Sequence, residues 1–198
     1  MGRWEPNAQG RLEQAALELF TEHGYDRATV AEIAARAGLT ERTFFRYFAD
    51  KREVLFSGAA AGRELLVATV AQTSASAGPI DAVTAALEAV GARLQERRRF
   101  AQRRQSILAA NAELRERELI KLASWAAALA DALCGRGVGR PAARLTAEIG
   151  IAVFRIAFDR WIDDANARDL PELIRESFQE LGALTSGDSH ALSPTGTP

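Results

Sequence analysis

The chain has 198 residues, 47% of them hydrophobic, and carries a formal net charge of −1 with a sequence pI near 6.2. This supplies a core for one large globular domain or two small ones, and it excludes polyanion binding by bulk charge: a nucleic-acid partner has to be met by locally placed cations. No apolar run approaches the roughly 20 residues of a membrane span, and the start MGRWEPNAQG lacks a signal-peptide core. The single Cys134 allows no internal disulfide and reads as a small buried residue, so a cytoplasmic protein is expected.

Period-2 alternation is almost absent, whereas Ala, Leu, Glu and Arg recur at helical spacing throughout. The fold class is therefore all-α, with about nine helices. Leu12, Ala16, Leu19 and Phe20 form one face of a first helix, with Glu13, Glu18 and Glu22 turned outward and Gly24 at its end. Thr29 and Glu32 have capping-box spacing and open a short helix through Ala31, Ile33 and Ala34 that stops at Gly38. Thr40 caps the next. Asp50 and Glu53 repeat the spacing, which predicts a longer helix from Lys51 to about Ala71. The segment QTSASAGP, 72–79, reads as a loop. Helices follow from about Ile80 to Arg99 and from Ala101 to Ala110, and Leu119, Leu122, Ala126, Leu129 and Leu133 step along another that ends in GRGVGRP. The last two helices are the most apolar. One carries Leu145, Ile149, Val153 and Ile156; the other carries Leu170, Leu173, Ile174, Phe178, Leu181 and Leu184. From Thr185 onward there is little to bury, so residues 185–198 are expected to form a disordered tail.

The stretch TERTFFRYF, 40–48, places four of the chain's aromatic residues in nine positions with two arginines between them. At about 100° per residue, Phe44 and Phe48 share one face, while Arg42, Thr43, Arg46 and Tyr47 share roughly the opposite one and Phe45 lies at the border. The phenylalanines anchor; the opposite set is presented outward. Arginine can bond guanine O6 and N7 in two prongs and hydroxyls can reach phosphates, so that set suits duplex DNA. Between Arg36 and Arg52 there are five basic residues and two acidic ones. The plain alternative is an amphipathic helix whose arginines only solvate its surface.

The run GYDRATVAEIAARAGLTERTFFRYFADKREVLF, 24–56, resembles the N-terminal DNA-binding domain of TetR-family repressors. The shared features are the threonine before the first helix of the motif, the pair Ile33-Ala34, Ala37-Gly38 at the turn, and Phe45, Tyr47, Phe48 and Lys51. The resemblance implies a helix-turn-helix domain over 1–56, with phosphate contacts from Thr29, Tyr47 and Lys51 and contacts near base edges from Arg42, Thr43 and Arg46. Phe45 stands where the family often has tyrosine, so a hydroxyl contact is lost there, while its ring can still pack on a thymine methyl. Glu41 reads as stabilising the helix start, or as accepting from a cytosine amine, without which it would repel phosphate.

The resemblance further implies a helical body over 57–184 that binds a ligand and dimerises through its last two helices, which would otherwise leave an apolar stripe exposed. A twofold dimer matches a palindromic operator. The segments RRQSILAANAELRERELIKLASWAAALADAL and AVFRIAFDRWIDD resemble the C-terminal domain of TetR-type regulators, including the mycofactocin-associated one, thought to bind acyl-CoA-like ligands. They imply an apolar cavity with Phe100, Leu108, Trp125, Phe154, Phe158 and Trp161 as candidates and Arg97 or Arg104 near a head group. The run 93–104 holds six arginines against one glutamate. It reads as a second nucleic-acid patch, a clamp for an anion, or a solvated face balanced by the acidic stretch 159–180.

An enzyme has little to work with. His23 and His190 lack a metal-ligand or nucleophile partner at suitable spacing, Asp163-Asp164 reads as a solvated helix end, and nothing points to a cofactor. The expectation is a dimeric, ligand-responsive transcriptional regulator, with a helical protein-interaction module that binds no DNA as the alternative.

Overall fold

A computed structural model describes residues 7–163, 165 and 167–186. Among them are nine α-helices, one 3-10 turn and no strand. The helices are α1 Ala8–His23, α2 Val30–Arg36, α3 Glu41–Tyr47, α4 Ala59–Gln72, α5 Pro79–Gln95, α6 Arg98–Ala110, α7 Ala112–Gly135, α8 Arg140–Ile162 and α9 Leu170–Ser186, with the 3-10 turn at Glu53–Phe56 before α4. By packing the described residues form two compact units, one of those up to Ala61 together with Arg98–Lys121, the other of Gly62–Arg97 and those from Leu122 on. The linear boundary after residue 56 does not follow this division, because α6 and the first part of α7 return to the N-terminal unit.

In the N-terminal unit the apolar face of α1, Leu12, Ala16, Leu19 and Phe20, is buried against Ile33 and Ala34 of α2, Phe44 of α3, Phe48, and Ile107, Leu108 and Leu114 from α6 and α7. Asn7 caps α1 by accepting from the Gly10 N–H at 3.0 Å. Glu13, expected outward, is only 5% exposed and accepts from Gln9 Nε2 at 3.1 Å: α1 is covered on more of its circumference than an amphipathic stripe needs. Helix α2 opens with the expected capping box. It closes in a Schellman motif, with Gly38 N–H donating to Ala35 O at 3.0 Å and Leu39 N–H to Ala34 O at 2.8 Å. Gly38 sits at φ +66°, a conformation that glycine adopts without a Cβ penalty.

The single helix expected from Lys51 to Ala71 is divided. Asp50 does cap, accepting from the N–H groups of Arg52 at 2.8 Å and Glu53 at 3.1 Å, but it caps a 3-10 turn. Val54, Leu55 and Phe56 are all buried, and three consecutive α-helical residues fan over about 200°, too wide for one core to cover. By length and composition alone residues 53–72 qualify as a membrane span, contrary to the sequence expectation. The helical part, α4, rises only about 21 Å, short of the roughly 30 Å of a hydrocarbon layer.

In the C-terminal unit α5, α8 and α9 pack on one another. Backbones approach closely where glycine allows it: a Cβ on Gly150 of α8 would lie 2.4 Å from Val83 Cγ1 of α5. Arg136, beyond α7, donates to the carbonyls of Val70, Thr73, Ser74 and Ala77 at 2.6–3.2 Å and so closes the end of α4. Cys134 is half-buried, less enclosed than expected. Thr185 and Ser186, assigned to the tail, belong to α9, and Thr185 Oγ1 donates to Leu181 O at 3.0 Å; the rest of the tail, 187–198, with His190, lies outside the described residues, as does Asp164.

Candidate nucleic-acid interface

Helix α3 has two turns, too short to be stable alone, and is held by its buried rings. Phe44 is fully buried and Phe48 4% exposed, with ring centroids 5.4 Å apart. At its start the Thr40 hydroxyl accepts from Thr43 N–H at 3.2 Å, and the two threonine hydroxyls are hydrogen-bonded at 3.1 Å. Arg42, Phe45, Arg46 and Tyr47 are exposed, Phe45 by 54%, and Thr43 is half-buried. The Arg46 guanidinium lies 5.0 Å from the Tyr47 ring centroid and donates to its hydroxyl at 3.3 Å, so the two side chains stand as a pair.

Of the five basic residues between 36 and 52, three are engaged internally. Arg36 grips Glu22 of α1 through two bonds of 3.1 and 2.9 Å, which hold the Glu22 carboxyl below its ordinary range. Arg52 pairs with Asp50 at 2.7 Å and with Glu113 of α7. Lys51 donates to the carbonyls of Tyr25, Asp26 and Ala28 at 2.9, 3.1 and 3.1 Å, over the Tyr25 ring. What remains is Arg42 and Arg46. Both lie on the exposed side of α3, so the local positive field is narrower than a residue count implies.

Thr29 is exposed at the start of α2; its backbone N–H and its hydroxyl both donate to Glu32 Oε2 at 2.8 Å and hold that carboxyl below its ordinary value. The sequence reading missed Tyr25 as a platform and Asp50, Glu53 and Glu113 as anchors. Glu53 collects Arg117 and Lys121 of α7, the latter at 3.3 Å. Glu113, Arg117 and Lys121 lie 60 or more residues from Arg52 and Glu53 in the chain, beyond the reach of any local spacing.

The ligand-binding candidates fall into two groups. Leu108 is fully buried in the N-terminal core with Phe100 against it. Arg104 is there too: it donates to Leu55 O at 2.6 Å, pairs with Glu118 at 2.8 Å and lies 5.0 Å from the Phe56 ring centroid. Leu108 lies in that unit's core, and Phe100 and Arg104 are half-buried beside it. Trp125, Phe154, Phe158 and Trp161 belong to the other unit and form a continuous row, with successive centroids 5.9, 6.0 and 5.5 Å apart. Gly62 of α4 lies so close to Trp125 that a Cβ there would meet Cζ2 at 2.5 Å. Arg97 is exposed after α5.

Residues 13–57 match the family model described as bacterial regulatory proteins of the tetR family, and residues 77–185 match the MftR C-terminal domain. MftR of Mycobacterium tuberculosis, named for the regulation of mycofactocin biosynthesis, is 24% identical over 188 residues, covering 92% of this chain and 93% of that protein. The HTH-type transcriptional regulator TcmR of Streptomyces glaucescens is 37% identical over 86 residues, 43% of this chain and only 38% of TcmR. In fold, the chain is similar to the transcriptional regulator FadR of Bacillus subtilis solved with stearoyl-CoA: TM-score 0.56, 18% identity, 87% of this chain and 96% of that one. An exposed two-turn helix after a Schellman turn, matched by a family model at the head and by a second over more than half the chain, leads to one assignment: the chain is a transcriptional regulator of the TetR family with a C-terminal domain of the MftR type.

Proposed function

We propose that the chain is a repressor that binds a palindromic operator as a twofold dimer, through α3 of each copy, and releases it when a lipophilic or acyl-CoA-like molecule enters the C-terminal unit. The observation that carries the DNA half is that, in the 36–52 window, the cations not tied to an acidic side chain or a backbone carbonyl are Arg42 and Arg46, the latter paired with Tyr47, on one exposed helix face. In this reading Arg42, Thr43 and Arg46 meet base edges, Thr29 and Tyr47 meet phosphates, and the Phe45 ring packs on a thymine methyl. The work is done in the cytoplasm, where the operator is.

Duplex fragments retained by the protein from its own genome provide the operator. Against that operator Arg46→Ala should lose about 1–3 kcal/mol of binding with unchanged circular dichroism. Wild-type affinity in that variant would remove Arg46 from the interface.

For the effector, the aromatic row of Trp125, Phe154, Phe158 and Trp161 supplies apolar walls within one unit, and Arg97 is the cation for an anionic head group. The reading of the ligand class is supported by the similar fold of the Bacillus subtilis FadR, which was solved with stearoyl-CoA. A long-chain acyl-CoA at about 100 times its dissociation constant should stabilise the protein by roughly 2.7 kcal/mol, read as a raised melting temperature. No shift with any acyl-CoA at saturation would exclude that class.

A further inference from the structure

The ammonium of Lys51 has three N–H donors, and the structure matches each to a carbonyl, those of Tyr25, Asp26 and Ala28 at 2.9, 3.1 and 3.1 Å. The same nitrogen lies 4.5 Å from the centroid of the Tyr25 ring. Tyr25 is itself fixed: it is 6% exposed, and its ring meets Phe20 of α1 edge-on at 5.2 Å. Three carbonyl oxygens that converge on one point repel one another, and a cation at their focus turns that repulsion into attraction. Lys51 comes from beyond α3, yet it closes the connection between α1 and α2.

We propose that Lys51 is a positioning residue for the DNA-reading head, the pin that holds the 25–28 turn in place. This rests on the operator-binding reading above. The chain of consequence is short. Ala28 immediately precedes Thr29, the cap of α2, and α2 contributes Ile33 and Ala34 to the same core as Phe44 of α3. The pinned turn therefore sets where Thr29 stands and how α2 backs α3. A phosphate contact would require Lys51 to surrender at least one of three bonds of good length.

Arginine separates the two roles. Lys51→Arg keeps the charge, and a guanidinium binds phosphate at least as well as an ammonium does, but its planar fork does not match three carbonyls converging on a point. The experiment compares the wild type, Lys51→Arg and Lys51→Met by amide hydrogen exchange of residues 25–32 in the free protein, and by operator affinity across a salt series. We expect both variants to show about tenfold or faster exchange over 25–29 and about tenfold weaker binding, with the slope of log affinity against log salt unchanged in Lys51→Arg. The proposal is overturned if Lys51→Arg binds with wild-type affinity, or if exchange over 25–29 stays at the wild-type rate. It is also overturned if Lys51→Met loses affinity only through a slope shallower by about 0.9, the mark of one lost phosphate contact. Should the wild type itself bind no duplex DNA, the operator reading fails, while the exchange rates still decide whether the lysine pins the turn.

Discussion

Phe44→Ala should remove about 3–5 kcal/mol of stability from the N-terminal unit and with it the order of the recognition helix. Phe44 is fully buried, in contact with the rings of Phe45 and Phe48 at centroid distances of 5.5 and 5.4 Å, and surrounded by α1 and α2. Truncation leaves a ring-sized void in a unit whose helices α2 and α3 have only seven residues each. Such helices form through packing, since nucleation costs more than two turns of hydrogen bonds return. As whole small domains are stable by about 5–15 kcal/mol, the loss takes a large share of the total. Hydrogen exchange should show it as raised exchange confined to residues 8–61 and 98–121, while amides of α5, α8 and α9 keep their protection. Phe45→Ala is the contrast: that ring is 54% exposed, so stability should change by no more than about 0.5 kcal/mol while operator binding weakens. A loss below about 1 kcal/mol in Phe44→Ala would mean the ring is not the anchor of α3.

The elements that could be read in advance are those that a few neighbouring residues specify. The capping box at Thr29 and Glu32, the Thr40 cap and the glycine ends at 24 and 38 depend on contacts within five residues, the apolar face of α1 shows in its helical spacing, and all are present. The division of α3 into buried Phe44 against exposed Arg42, Arg46 and Tyr47 is equally a matter of helical pitch, while Phe48 is buried from extended backbone just past the helix. Where the reading failed, the deciding partner was distant. The helix proposed from Lys51 broke because Val54, Leu55 and Phe56 all enter a core completed by α6 and α7. Arg104 is expected near a head group from the resemblance alone; in the fold Glu118 and the Leu55 carbonyl engage it. Lys51 was legible as a cation at the right place in the motif and not as the partner of carbonyls more than 20 residues before it. Charge type is written in the chain; charge occupancy is a property of the fold.

The second large effect concerns assembly. On α8, Leu145, Ile149, Ala152 and Ile156 recur at steps of 4, 3 and 4, and Leu145 and Ile156 are 64% and 56% exposed, while Val153 turns into the core. Leu184 near the end of α9 is 60% exposed. This stripe is about 16 Å long, with the spacing by which one helix packs against another, and in a lone subunit its burial remains unrealised. Pairing it with a second copy about a twofold axis buries the same residues twice. Leu145→Asp combined with Ile156→Asp places two carboxylates in each half of that interface, and desolvating four such charges costs more than the apolar contact returns. The double variant should sediment as a monomer at micromolar concentration with unchanged helical content, because neither side chain contributes to its own subunit's core. Its operator affinity should fall by about 100-fold or more, since the second half-site is no longer engaged at high effective concentration. A double variant that still sediments as a dimer would move the interface off α8. A monomer that binds the full operator as tightly as the wild type would show that one α3 suffices, and the twofold reading of the operator would be lost.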